Sequence, residues 1–444
     1  MIFSGNTVVP FSPDITEEEA TVLFDDADIG MLFCEESFVP MAEKIKDEKV
    51  REMFCKCYLN TLETTVKFDD EGNVFIITGD IEAMWLRDSS VQVSHYVRAA
   101  KDDADSKALV KSLLERQFGL ICLDPYANAF NESANGRGHN DDTMKLDIVW
   151  ERKYEIDSLI YPLWLLNRYY ENTGDKEIFG EKFNNAYKVI LDTLITEQNP
   201  KNSEYYFRRT WEDGKDTLDN NGYGADYAYT GMVRSAFRPS DDKCVYPFLV
   251  PSNMFIVATL KNLHKNLSDA GVCDLYKDTA EKLCAEVEKG INDFAVVETE
   301  NGKVYAYEVD GLGNKLMMDD ANVPSLLALP YMGYCSKTDE MYLNTRKFVL
   351  SKTNPYYYEG SAAKGIGSPH TPENYIWHIG LLIEGLTTDD RDEIERIYNT
   401  LLSTDAGTGF MHEGFNCDNP DEFTRCWFAW ANTLFAIFMM DKIL

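Results

Sequence analysis

The 444-residue sequence is poor in positive charge: 43 Lys and Arg stand against 75 Asp and Glu, a formal net charge of −32. Such a surface repels phosphate backbones and anionic bilayers, so neither nucleic acid nor a membrane is expected as a partner. Long apolar runs are also missing. The most hydrophobic stretch, 427–440, is broken by Asn432 and Thr433 and is too short to cross a bilayer, so it reads as a buried helix. The first twenty residues lack the basic and apolar regions of a secretory signal. The ten cysteines follow no repeating frame; Cys55 and Cys57 form a lone C-x-C, and Cys417 and Cys426 have no companion pair. A zinc site needs two spaced ligand pairs, and disulfides need an oxidising compartment. Reduced thiols and a cytoplasmic location are therefore expected. There is no H-E-x-x-H or paired-His spacing, so no metal and no cofactor are expected. No Pro- or Ser-rich linker, low-complexity tract or residue-level repeat divides the chain. One catalytic domain over 1–444 is expected, with 1–45 as an N-terminal extension packed on it.

What is present is apolar residues at helical spacing, in a chain that is 44% hydrophobic and able to build a large core. Tyr276, Ala280, Leu283, Cys284, Val287, Ile291 and Phe294 fall on one helical face, as do Ile156, Leu159, Ile160, Leu163 and Trp164. Ile394, Ile397, Tyr398 and Leu401 repeat the pattern, and Val110, Leu113 and Leu114 begin it again. Strand signals are few. Residues 304–309 followed by the turn 310–314, and 67–77 around the turn 69–72, read as short β-hairpin decorations on an all-α body. Polar, Gly-rich, aromatic segments recur between the helices, and that alternation suggests a toroid of helices whose loops converge at one end.

Five of those segments look chemical. In the first, 78–90, Asp88 could cap a helix running from Ser89. Alternatively, Trp85, Arg87 and Asp88 could line a sugar site, an indole covering the C–H face of a pyranose while the charged pair grips hydroxyls. The second carries His139, Asn140 and Asp141, which read as turn residues or as a polyol pocket. Downstream of it, Glu155 or Asp157 projects into a cavity or favours a helix N-terminus, and Glu151 reads as structural. The third, 230–242, ends in the adjacent acids Asp241 and Asp242. Adjacent acids repel, and one can retain a proton if partly desolvated, as a general acid requires; the bland reading is a helix cap. The fourth, 365–378, holds His370, Glu373 and His378. The fifth, 407–430, holds His412, Glu413 in a Gly-flanked turn, and Arg425. Four of the six histidines fall in these segments, which favours a functional role for them.

The segments T-G-D-I-E-A-M-W-L-R-D-S, F-R-P-S-D-D, P-S-N-M-F, G-T-G-F-M-H-E and R-C-W-F-A-W-A-N, in this order over roughly 45–444, resemble glycoside hydrolase family 125. The resemblance implies an (α/α)6 barrel and a metal-independent exo-α-1,6-mannosidase that inverts the anomeric centre. It implies an aspartate as general acid, carried to Asp241 ahead of Asp242, and a glutamate as general base, carried to Glu413. Trp85, Arg87, Asp88, His139, Asn140, Asp141, His370, Glu373 and Arg425 are expected to hold the terminal mannose of an α-mannoside. Arg234 stands where the resemblance leads one to an aromatic; if it borders the site, leaving-group preference is affected. Three rivals remain: a metallohydrolase, a sugar-binding module without catalysis, and another helical-barrel enzyme such as a glucosidase or a lyase. Activity in chelator, turnover of a dimannoside and product analysis separate them.

Overall fold

The computed structural model describes the backbone of 2–4, 7–9, 31–32 and 38–444, except 70–71, 210–215 and 301, and side chains from Met41 onward. The packing expected of the extension over 1–45 thus falls almost wholly outside the described residues.

The helices fall into two populations. Helices α1 (Glu48–Thr64), α3 (Ala104–Leu123), α5 (Glu181–Gln198), α7 (Lys277–Gly290), α8 (Glu340–Val349) and α10 (Arg391–Ser403) each bury one face. On α7 that face is Ala280, Leu283, Cys284 and Val287; on α10 it is Ile394, Ile397 and Leu401, with Tyr398 half-buried. A helix with one apolar stripe belongs at a surface. By contrast, α2 (Leu86–Gln92), α9 (His378–Leu386) and α11 (Ala429–Phe438) are buried at every residue, and α4 (Ile156–Thr173) and α6 (Val250–Ala270) over most of theirs. Helices apolar nearly all round, as α9 and α11 are, belong inside, whereas α2 is inside with Arg87, Asp88 and Gln92 buried among partners. The second set packs side by side, α11 on α2, α2 on α4, α4 on α6 and α9 on α11, and the first set lies against it. The stretch 323–329 is also buried and is tied to α4 by Tyr161 Oη on Val323 O (3.0 Å) and to α8 by Tyr342 Oη on Leu327 O (3.0 Å).

Four of the six surface helices start on a side-chain cap and none of the inner ones does. Asp47, Asp103, Asp339 and Asp390 cap the surface helices α1, α3, α8 and α10 through their side chains. None of α2, α4, α6, α9 or α11 has a side-chain cap. In particular, Asp88 does not cap a helix from Ser89: the helix starts at Leu86 and Asp88 lies within its first turn. Nor do Asp241 and Asp242 cap anything, since the next long helix starts at Val250.

The strands are short, but they are more than decorations. Met84–Trp85 leads directly into α2, Phe248–Leu249 into α6 and Tyr375–Trp377 into α9. Each belongs to a small antiparallel sheet: Met84–Trp85 with Ala129–Phe130 and Val149–Glu151, Phe248–Leu249 with Glu308–Val309 and Lys315–Leu316, Tyr375–Trp377 with Gly414–Asn416 and Phe423–Thr424. The hairpin expected over 67–77 is present as Val66–Phe68 against Val74–Ile76. The arm expected over 304–309 is split. Gly302–Tyr305 pairs back with Val296–Thr299, while Glu308–Val309 crosses the turn to Lys315–Leu316.

Packing between the inner helices is tight enough to test. A Cβ on Gly385 of α9 would come 2.6 Å from Phe438 Cε2 on the adjoining α11 segment, and Phe438 is fully buried. Alanine in a helix interior gains about 0.5–1 kcal/mol over glycine, but forcing a methyl into a filled core costs about 1–3 kcal/mol. The clash dominates, so Gly385→Ala lowers the thermal unfolding midpoint, and an unchanged or higher midpoint would show this contact to be loose.

Candidate active site

A small pocket, partly open to solvent, lies where the short strands meet the inner helices. Trp85, Arg87 and Asp88 come from the entry to α2, Ser240 and Asp241 from the turn after Arg238, and His370 and Trp377 from the approach to α9. Glu413, Arg425, Phe428 and Trp430 come from the segment before and into α11. A larger cavity of about 910 Å³ is lined in part by α4 from Trp164 onward and by α6 from Val257 to Lys265. It brings together none of the paired acids or loop segments, so the chemistry belongs to the smaller pocket.

One wall of the pocket is a network of buried charge. Arg87, 4% exposed, sends Nη1 to Glu155 Oε2 (2.6 Å) and Asp157 Oδ2 (2.9 Å), and its Nε stands 3.4 Å from Asp88 Oδ2. Lys153, 3% exposed, donates to the Asp241 backbone carbonyl (3.0 Å) and lies 3.8 Å from Asp241 Oδ1 and 3.2 Å from Asp216 Oδ2. Arg209 then joins Glu151 (2.6 Å), Asp141 (2.8 Å) and Asp216 (2.9 Å). Buried charges persist only when paired and hydrogen-bonded, and this wall meets that condition through shared cations. Burial raises the pKa of Asp88, against the pull of Arg87. It raises that of Glu155 well above the carboxylate range, with Arg87 opposing and the Asp157 and Asp241 charges adding to the rise. Burial acts the same way on Asp241, but Lys153, Arg87 and His370 outweigh it and hold this carboxyl low.

Across the pocket, Glu413 is 7% exposed and its Oε1 accepts from Arg425 Nε at 3.1 Å. The far side of that guanidinium pairs with Asp80. Beside them His370 sets Nδ1 3.7 Å from Asp242 Oδ1. Burial would lower the imidazole pKa, but Asp242, Asp241 and Glu413 together push it up to about 9, so the ring is a cation at neutral pH. The pocket therefore holds an acidic group ringed by cations on one side and a carboxylate held by a single guanidinium on the other. Trp85, Trp377 and Trp430 add apolar faces of the kind that pack on sugar rings.

Of the residues expected from sequence, Trp85, Arg87, Asp88, Asp241, His370, Glu413 and Arg425 line this one pocket. Asp242 sits just outside it, against His370 and Ser240. His139, Asn140 and Asp141 do not line it: His139 stacks edge-on against Trp150, Asn140 is exposed, and Asp141 is spent on Arg209. Glu373 is exposed and away from the pocket. Two of the four histidines favoured by position are structural. His378 and His412 are fully buried; the His378 ring bonds the His412 backbone, the His412 ring bonds the Arg425 and Asp405 carbonyls, and burial lowers the His378 pKa to about 3, so it stays neutral. Arg234 does not border the pocket either, since its Nε is held by Glu197 at 2.7 Å. Glu151 is structural as expected, between Arg209 and Asn128. Sequence reasoning missed Asn322 and the packing roles of Trp377, Phe428 and Trp430. Asn322 lies in no segment that looked chemical; the three aromatics did, but an aromatic beside an apolar helix gives no sign of which face it keeps open. Among the described residues no group of three or more His, Cys, Asp or Glu could hold a metal ion.

Known proteins agree with this geometry. The profile of glycoside hydrolase family 125, the metal-independent α-mannosidases, matches residues 47–440. The meiotically up-regulated gene 157 protein of Schizosaccharomyces pombe is 39% identical over 434 residues, covering 92% of this chain and 85% of its own. A metal-independent α-mannosidase of Streptococcus pneumoniae, solved in a non-productive complex with α-1,6-mannobiose, is 44% identical with a TM-score of 0.88, over 96% of this chain and 98% of that one. A glycosidase in complex with glucose shares the fold alone, at 13% identity and a TM-score of 0.54 over 88% of this chain and 96% of that one. With a family match over nearly its whole length and a helical scaffold that gathers its acids into one pocket, the chain belongs to glycoside hydrolase family 125, the metal-independent α-mannosidases.

Proposed function

We propose that this α-mannosidase removes single terminal mannose units from α-1,6-linked mannosides, such as N-glycan fragments, with inversion at the anomeric carbon. The observation that carries the reading is the placement of Asp241 and Glu413 in one pocket, on segments 172 positions apart in the chain. The α-1,6-mannobiose held by the 44% identical Streptococcus pneumoniae neighbour supports the linkage.

In this reading Asp241 gives its proton to the departing glycosidic oxygen while Glu413 takes a proton from the water that attacks the opposite face of C1. The inverting arrangement expects the two carboxyls about 6.5–9.5 Å apart, which leaves room for that water. Arg425 aims Glu413 through the bond from Nε to Oε1, and a base must be held in reach of its water. Arg87, Asp88, His370 and Arg425 hold hydroxyls, with Trp85, Trp377 and Trp430 against the ring. The inner and outer helices are read as the two layers of an (α/α)6 barrel forming one domain, the stretch 323–329 taking the place of an inner helix. Nine described cysteines are free, which favours a reducing compartment such as the cytoplasm. No helix among the described residues is long and apolar enough to cross a membrane.

The two carboxylates give separable outcomes. Glu413→Gln abolishes turnover of α-1,6-mannobiose and of an aryl mannoside alike, because neither substrate can dispense with activated water; the loss is about 10²–10⁴-fold. Asp241→Asn loses a similar factor on the disaccharide but far less on an aryl mannoside whose leaving group needs little protonation. If Asp242→Asn rather than Asp241→Asn shows that contrast in steady-state kinetics, the acid is Asp242. The first-formed sugar seen by NMR is β-mannose; α-mannose would make Glu413 a nucleophile. Dialysis against EDTA leaves kcat/KM unchanged, and a loss restored by a divalent ion would overturn the metal-independent reading.

A further inference from the structure

Glu155 stands outside the pocket lining and immediately precedes α4, its side chain fully buried. Its Oε2 is saturated by Arg87 Nη1 (2.6 Å) and Ser158 Oγ (2.8 Å). Its Oε1 is buried with no donor on it, and the same is true of Asp241 Oδ1. The two carboxyls lie within hydrogen-bonding reach of each other. Two carboxylates cannot bond in that way, whereas a carboxylic acid and a carboxylate can, and one proton between them supplies the missing donor.

The surrounding charges demand the same proton. From α2 the pair faces Arg87 and Asp88, and from α4 Asp157. From the end of the Val149–Glu151 strand it faces Lys153 and Glu151, with Asp216 and Arg209 behind them. Asp242 and His370 stand on the turn side, and Glu413 and Arg425 across the pocket. Within the wall, the three cations Arg87, Lys153 and Arg209 share seven carboxyls, with Asp141 completing the set. A buried cluster so short of positive charge holds protons instead. Neighbouring carboxyls that cannot both ionise keep one proton to higher pH than either would alone.

We propose that Glu155 and Asp241 hold one proton between them at neutral pH, and that Glu155 is the positioning residue that stores the proton Asp241 delivers. This rests on the reading of Asp241 as the general acid. At rest the proton lies on Glu155, since Lys153, Arg87 and His370 hold Asp241 low; in the reacting form it has passed to Asp241, and Glu155 is the carboxylate held by Arg87 and Ser158. As the bond from C1 to the glycosidic oxygen breaks, its electron pair goes to that oxygen, which takes the Asp241 proton. Water forms the new bond to C1 and gives its proton to Glu413. The pair has then lost one proton and Glu413 has gained one; exchange with solvent after product release restores both.

The test is Glu155→Gln in the full chain. The amide removes the like charge and donates a fixed N–H to Asp241, so Asp241 gives up its proton at lower pH. The basic limb of kcat/KM on α-1,6-mannobiose shifts toward acid by a unit or more, with at least a tenfold loss at neutral pH that recovers as pH falls. The aryl mannoside is nearly unaffected, and Glu155→Asp, which keeps a carboxyl, restores part of the limb. Independently of turnover, the infrared difference spectrum of wild type against Glu155→Gln at neutral pH shows loss of a protonated-carboxyl C=O band, and Asp241→Asn loses the same band. A basic limb that does not move, or a band that survives both substitutions, overturns the shared proton. If wild type itself fails to cleave mannosides, the functional reading falls while the infrared result still decides the proton. If Glu155→Gln does not fold, the band in Asp241→Asn and the limb in Glu155→Asp decide it.

Discussion

The site depends on one guanidinium. Arg87 is buried between Asp88, Glu155 and Asp157, and its plane also lies 5.7 Å from the centre of the Trp430 ring. Three inner helices, α2, α4 and α11, therefore meet at a single charge. Removing one partner of a buried pair leaves an uncompensated charge and costs about 3–5 kcal/mol; here the loss would strand three carboxyls. The floor of the pocket and the junction of the helices are the same group, so a side chain that touches substrate cannot drift without opening the scaffold.

The same end of the molecule collects the uncapped starts of α2, α4, α6, α9 and α11. Each helix start carries a partial positive charge and N–H groups without helical partners. On the surface helices α1, α3, α8 and α10 an Asp cap consumes these groups. Inside, neighbouring backbone and hydroxyls do so instead: Leu86 N bonds Asn128 O, Val250 N bonds Tyr307 O and Ile156 N bonds Ser235 Oγ. The carboxylates of this region are thereby left for chemistry. Asp88 and Asp157 sit in first turns and Glu155 at a helix start, where the helix field favours negative charge.

That arrangement explains what could be read in the sequence. Surface helices announce themselves by periodicity, as Ala280, Leu283, Cys284 and Val287 do on α7. Residues of the first turn of α2 and of the Glu413 turn were legible because charge beside tryptophan, at the edge of an apolar run, has few structural uses. His139, Asn140 and Asp141 share that composition, yet Asp141 serves Arg209, three salt bridges away from Asp241; a segment's composition does not say in which layer of a charge network it ends. His378 and His412 misled for a related reason, since an imidazole bonding the other's backbone is invisible until the two strands they flank are paired. Glu155 was left between cavity and helix start, and it occupies neither cleanly, because what assigns it is its contact with Arg87, 68 positions earlier.

The backbone sends the two adjacent acids in different directions. Asp241 has φ +72°, in the left-handed region, and the turn is closed by Asp241 N on Arg238 O (2.9 Å) and Arg238 N on Asp242 O (2.8 Å). Arg238 is itself pinned by Glu308 at 2.6 Å, and Glu308 also receives the N–H groups of Val245 and Tyr246. The positive φ throws the two acid side chains apart, Asp241 into the pocket and Asp242 toward His370. Such a conformation costs about 1–3 kcal/mol for most residues, but Asp and Asn adopt it more readily than others. An aspartate at 241 thus satisfies the backbone and, as the proposed acid, the chemistry together. Asparagine keeps the first and removes only the second, so the Asn variant at this position reports on proton transfer rather than on a broken turn.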